Sequence, residues 1–132
     1  MQIQTGATAE VERTVSPELT ADALGNPGVQ VLATPFVVGL LENAAAAVIA
    51  PHLPAGATTV GTLVEMKHLA ATPLGMKVRA RATLLETDGK RFVFQVEAFD
   101  EIEKVAEGRH ERYLIPSLAR FLDRAMSKKA PS

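Results

Sequence analysis

The longest apolar run in the chain, TPFVVGLLENAAAAVIA from Thr34 to Ala50, is broken only by Glu42 and Asn43. Thr34-Pro35 has the form of a helix start, because Thr can cap and Pro is tolerated at the first helical position. The run stops near Pro51, so the pattern predicts one helix of this span. It is apolar nearly all the way round, which predicts a buried helix rather than one lying on a surface. After Pro54 the period changes to two. Val60, Thr62, Val64, Met66 and His68 alternate with Gly61, Leu63, Glu65, Lys67 and Leu69, predicting a strand whose first set packs on the helix. Ala71 to Gly75 reads as a turn. Met76 to Leu85 is a second strand, with Met76, Val78, Ala80, Ala82 and Leu84 inward and Lys77, Arg79, Arg81 and Thr83 outward. Asp88-Gly89 signals a hairpin of the primed-turn kind. Phe92, Phe94, Val96 and Ala98 then face in, a further strand runs from Lys104 to Ile115, and Pro116 to Met126 makes a short amphipathic helix. Upstream, Ala7 to Val15 alternates as an edge strand. Ser16 to Val29 is loop, with a helical turn at Pro17 to Leu24. The order predicts an α+β layer arrangement, an antiparallel sheet wrapped around one long buried helix. So apolar a helix is hard for one small sheet to cover, and a partner subunit is expected.

Composition narrows the function classes. At 132 residues the chain is one domain, and 47% hydrophobic residues give it a core of its own, built from small and branched side chains. With 14 basic against 15 acidic residues, it is not the clustered-cation surface that a general nucleic-acid binder needs. There is no cysteine, so thiolate catalysis, disulfides and Cys-based metal sites are excluded. The first fifteen residues have no basic segment followed by an apolar run, and the Thr34–Ala50 stretch falls short of a membrane span. A soluble cytoplasmic protein, without membrane or nucleic-acid partners, is expected.

Three residues stand out chemically. Glu42 sits mid-helix among Leu40, Leu41 and Ala44 to Ala46, and a buried carboxylate costs several kcal/mol unless paired or neutralised. The competing reading is a carboxylate on a solvated stripe beside Asn43. His68 falls on a strand face with Val64 and Met66, where hydrogen-bonded core histidines are commoner than catalysts. His52 and His110 are weaker candidates, and the three histidines lack metal-ligand spacing. Thr34 is explained as a plain helix cap unless a base lies close enough to take its proton. At ~1.5 Å per residue, Thr34 and Glu42 are about 12 Å apart along an unbroken helix. They meet only if the helix start is irregular or the site is shared between two subunits.

The segments TPFVVGLLE, VGTLVEMKHLAATPLG and AEGRHERYLI together resemble the fluoroacetyl-CoA thioesterase family of hotdog enzymes, over about Val31 to Ile115. Thr34 stands where that family has its threonine, Glu42 its helix glutamate, and His68 the histidine of its H-x-A-A-T-P segment. Gly61 matches the glycine on the strand leading to that histidine, and Arg112 the arginine of the H-E-R segment. The chain is expected to form one domain over residues 1–126, of hotdog type by the resemblance, and its last residues, 127–132, read as a disordered tail. It implies hydrolysis of a short or medium acyl-CoA thioester at the interface of a homodimer or larger assembly, coenzyme A being part of the substrate and no separate cofactor being needed. In that scheme Thr34 is nucleophile or positions water, His68 moves the proton, and Glu42 orients the imidazole or acts as carboxylate. Gly61 lets a backbone N–H approach the thioester oxygen. Arg112 and Lys67 are candidates for the CoA phosphates. The family's fluoroacetate-specific members carry an aromatic residue shortly before the threonine. NPGVQVLAT has none, Gly28 stands about where it is expected, and Phe36 is the nearest aromatic left to line the acyl pocket. A non-catalytic acyl-CoA or acyl-carrier binding protein on the same fold is the alternative. A hotdog hydratase is not, since Glu42 is followed by Asn-Ala-Ala-Ala-Ala-Val and not by a His at the required spacing.

Overall fold

The computed structural model describes residues 2–129. Five strands, β1 (Thr8–Thr14), β2 (Thr58–His68), β3 (Lys77–Thr87), β4 (Arg91–Asp100) and β5 (Lys104–Ile115), form one antiparallel sheet in the order β1-β3-β4-β5-β2. Helix α1 (Thr34–Ile49) packs on one face, and α2 (Leu118–Met126) follows the last strand. The loop between β1 and α1 holds two short 3-10 turns, Pro17–Leu19 and Asp22–Leu24, where a single helical turn was expected. Of the expected tail, Ser127–Lys129 form a 3-10 turn, and residues 130–132 lie outside those described.

The core is the meeting of α1 with β3 and β4. Val37, Leu40, Leu41, Ala44, Ala45, Val48 and Ile49 are buried against Val78, Ala80, Ala82, Leu84, Phe92, Phe94, Val96 and Ala98. These are the inward sets that the alternation predicts. Alanines at 80, 82 and 98 let the helix approach closely, while Phe92 and Phe94 fill the volume beside them. By length and composition Thr34–His52 is apolar enough to cross a membrane, yet its large side chains form this core.

Two expectations are corrected. Helix α1 is buried on one side only: Gly39, Glu42, Ala46 and Ala47 are half-exposed and Asn43 is exposed. One sheet covers the large residues and leaves a face of small ones open. Strand β2 does not alternate strictly. Its register with β5 shifts between Gly61 and Leu63, so Thr59 and Gly61 face inward before the bulge, and Met66 and His68 after it. At the β3–β4 hairpin the Asp88 N–H donates to the Arg91 carbonyl at 3.4 Å, and Gly89, the first residue between them, has φ +91°. The Asp88 carboxylate accepts from the N–H groups of Lys90 and Arg91, at 2.9 and 2.8 Å.

Leu41 is fully buried at the centre of this packing. Leu41→Ala is expected to lower stability by about 2–5 kcal/mol, the range for a leucine truncated in a core that cannot collapse. Urea unfolding at a fixed protein concentration measures it. A loss below ~1 kcal/mol would mean that α1 is not pinned as described.

Candidate active site

The end of β2 meets the start of α1. Ala33, in extended conformation, occupies the cap position, so Thr34 is the first helical residue and its side chain caps nothing. The hydroxyl instead lies 2.8 Å from Nδ1 of His68, the last residue of β2. The backbone on either side fixes the pair: Leu32 N–H donates to the Thr72 carbonyl at 2.8 Å, and Val31 bridges Pro73. Thr72 is fully buried, and its hydroxyl donates to the Asp100 carboxylate at 3.0 Å. The segment before Thr34 is thereby tied to the segment after His68. Burial pushes the His68 pKa below its ordinary value, with the Ala70 backbone opposing in part. The imidazole is therefore neutral at pH 7. Its Nε2 is buried and has no hydrogen-bond partner among the described residues. Thr34 is exposed and opens on a cleft of about 360 Å³ lined by Asn26, Val29, Ala33, His68 and Ala70.

Glu42 belongs to a second cluster, about 12 Å along α1 from Thr34 at ~1.5 Å per residue. Its Oε2 is 3.7 Å from Arg112 Nη1. A Cβ added to Gly61 would stand 2.6 Å from that oxygen and 3.0 Å from Cε1 of His110. The glycine leaves the room that the carboxylate occupies. Arg112 Nε donates to Thr59 Oγ1 and Nη2 to the Thr59 carbonyl, both at 2.9 Å, and Nη1 lies 3.2 Å from His110 Nε2. The two clusters share no hydrogen bond or ion pair among the described residues. Thr34 joins His68, and Glu42 joins Gly61 and Arg112.

Other expected residues lie elsewhere. Arg112 is buried with its fork engaged by Thr59 and His110, which leaves it unsuited to hold a CoA phosphate. Lys67 is exposed between the inward Met66 and His68, on the opposite face of β2, beside a groove of about 760 Å³ with Glu65, Glu107 and Arg109. Phe36 lines a separate hollow of about 80 Å³ with Leu32, Gly39 and Leu40, not the cleft of Thr34 and His68. His52 is exposed. Sequence reasoning undervalued His110 and did not single out Thr59. The signal available was parity: His110 and Arg112 alternate on one face of a strand, which places them together. Among the described residues no cluster of three His, Asp or Glu is arranged to hold a metal ion.

Gly28 has φ +82°, and its N–H donates to the Asp22 carboxylate at 2.8 Å. The position where an aromatic residue was sought is thus a left-handed glycine turn, unfavourable to any larger side chain.

The family described as FlK, fluoroacetyl-CoA-specific thioesterase, matches residues 15–118. A fluoroacetyl-CoA thioesterase from Streptantibioticus cattleyicolor is 40% identical over 86 residues, covering 65% of this chain and 62% of that protein. The match thus spans less than two thirds of that relative. The crystal structure of the fluoroacetyl-CoA thioesterase FlK superposes with a TM-score of 0.89 at 32% identity, over 99% of this chain and 100% of that one. A Thermus thermophilus member of the thioesterase superfamily gives 0.86 at 34% identity, over 97% and 96%.

His68, partly buried, and His110, fully buried, both have pKa values lowered mainly by burial. A group whose folded pKa is depressed withdraws stability as the unfolded chain takes up its proton first. Stability is therefore expected to be full above the ordinary histidine value of 6.5 and to fall as pH drops through it. Urea midpoints between pH 8 and pH 5 check this, and a midpoint that stays level or rises toward pH 5 contradicts the assigned burial.

Proposed function

The chain belongs to the fluoroacetyl-CoA-specific thioesterase family, on the hotdog fold, and from that premise we propose that it hydrolyses short or medium acyl-CoA thioesters to free acid and CoA. The observation that carries this reading is the 2.8 Å contact between an exposed threonine hydroxyl and a neutral, partly buried imidazole at the mouth of a cleft. With His68 Nδ1 as acceptor, the Thr34 O–H donates, and the oxygen gains nucleophilic character as its proton is drawn off. Thr34, or a water that it positions, adds to the thioester carbonyl. The C–S bond breaks as His68 returns the proton to the departing CoA sulfur. Where Thr34 attacks, a water then cleaves the Thr34 ester and restores the hydroxyl; where water attacks, the acid forms directly, and either route consumes one water and gives one acid and one thiol. Acid–base help of about 10²–10⁴-fold is adequate where the leaving group is a thiolate.

A second copy of the chain completes the site. Glu42 is too far along α1 to serve the Thr34 and His68 of its own protomer, while β2, which ends in His68, is an edge strand with unpaired backbone groups. The half-exposed small residues Gly39, Ala46 and Ala47 flank Glu42 on the uncovered side of α1. A two-fold assembly through this region brings the partner subunit's Glu42 and Gly61 toward the Thr34–His68 pair. There the carboxylate orients the imidazole or the water, and the Gly61 N–H faces the developing oxyanion. The acyl group has no aromatic gate over it, because of the turn at Gly28.

Two tests follow. Refolding Glu42→Gln and His68→Ala chains together in equal amounts is expected to restore about a quarter of wild-type thiol release, since half the dimers are mixed and each holds one complete composite site. Each variant alone is expected to lose ~10²-fold or more. No recovery in the mixture would place the whole site in one protomer, and full-rate single variants would remove these residues from the chemistry. In the second test, kcat/KM for fluoroacetyl-CoA and acetyl-CoA is expected to differ by less than ~10³-fold, because a small apolar change alone discriminates only about 10–200-fold. A larger preference would mean that a gate exists elsewhere.

A further inference from the structure

We propose that His110 is a positioning residue for Glu42, acting through Arg112. This deepens the reading above and rests on Glu42 taking part in the hydrolysis. His110 is fully buried on β5, its ring beside that of Phe94 with centroids 6.3 Å apart and planes at 28°. Its two nitrogens face different partners. Arginine has only donors, so at the 3.2 Å contact Arg112 Nη1 donates and His110 Nε2 accepts. The ring proton is then on Nδ1, which donates to the Leu63 carbonyl at 2.8 Å. One tautomer of the neutral ring satisfies both ends.

This arrangement fixes the guanidinium at three points. Thr59 holds Nε and Nη2, and His110 holds Nη1, the nitrogen that faces Glu42 Oε2 at 3.7 Å. Without an acceptor at His110 the fork is held only along its Thr59 edge. It is then free to tilt, carrying Nη1 away from the carboxylate. The other end of the ring grips Leu63, the first residue paired with β5 beyond the bulge that turns Gly61 inward. The imidazole thus ties the bulge, the Arg112 fork and Glu42 into one unit. Burial, with Arg112 adding to it, keeps the ring neutral and the acceptor available, against the opposing pull of Leu63, Glu42 and Glu111.

Histidine ring-nitrogen NMR on the wild-type protein tests the tautomer without any substitution. His110 is expected as the neutral Nδ1–H form at neutral pH, and an Nε2–H form or a cation there overturns the proposal. Kinetics with acetyl-CoA test the positioning. In His110→Gln the amide oxygen falls near the place of Nε2, so kcat should stay within about threefold of wild type. In His110→Asn the amide falls near Nδ1 and Arg112 loses its acceptor, so kcat should drop about 10-fold or more with KM little changed, a displacement of the size that misplaced catalytic groups produce. A merely structural histidine would lower melting temperature and active fraction in both variants without separating kcat from KM. Equal kcat in the two overturns the inference. Glu42→Gln run alongside separates the two readings. If it abolishes turnover while both His110 variants match wild type, this inference alone fails. If wild type releases no thiol or Glu42→Gln runs at full rate, the thioesterase reading itself fails.

Discussion

An unbroken strand from Thr58 to His68 would turn Gly61 and His68 to opposite faces of the sheet, because their positions differ by an odd number. The bulge between Gly61 and Leu63 removes that conflict. Upstream of it Gly61 lies under the Glu42 carboxylate, and downstream His68 reaches the hydroxyl at the start of α1. Both clusters thus lie on the helix side of one strand. Without the extra residue one of them would face away. Gly61 thereby pairs with Arg112 upstream of the bulge while His68 pairs with Ala106 downstream of it.

The buried charges in this arrangement are answered by partners. Arg112 would be costly in a dry interior if any of its fork lacked an acceptor, since an unmatched buried charge costs several kcal/mol. Thr59, His110 and Glu42 supply the matching groups, each from a different part of the chain. His68 is the contrast, with a ring nitrogen left unmatched.

Much of this was legible in the residues. The span of α1 and the inward sets of β3 and β4 follow from hydrophobic period, which large buried side chains enforce. Glu42 stood out as a carboxylate in an apolar helix, while Thr34 and His68 were joined to it only by the resemblance to a family's segments. What periodicity could not deliver was the bulge, because Val60, Thr62, Val64, Met66 and His68 form a regular polar–apolar pattern that a straight strand satisfies equally well. The one-sided burial of α1 was hidden for a related reason. Alanine and glycine read as apolar in sequence, but on the uncovered face they add little area to bury, and they tolerate water. Arg112 was misjudged because a cation in a motif suggests an anion to bind, whereas here the anions and acceptors come from inside the protomer.

The turn at Gly28 bears on how selectivity can change in this fold. A positive φ held by the Asp22 carboxylate is a backbone decision, made before any side chain is chosen. Placing an aromatic ring there asks a bulky residue to occupy a region that L-amino acids avoid, at a strain of order 1–3 kcal/mol. A point substitution is therefore a poor route to a hydrophobic lid. The loop would have to be re-cut, by altering its length or releasing the Asp22 clasp, before a ring could stand at that position. A side chain of that size at position 28 is thus governed by loop architecture and lies beyond easy single-codon adjustment.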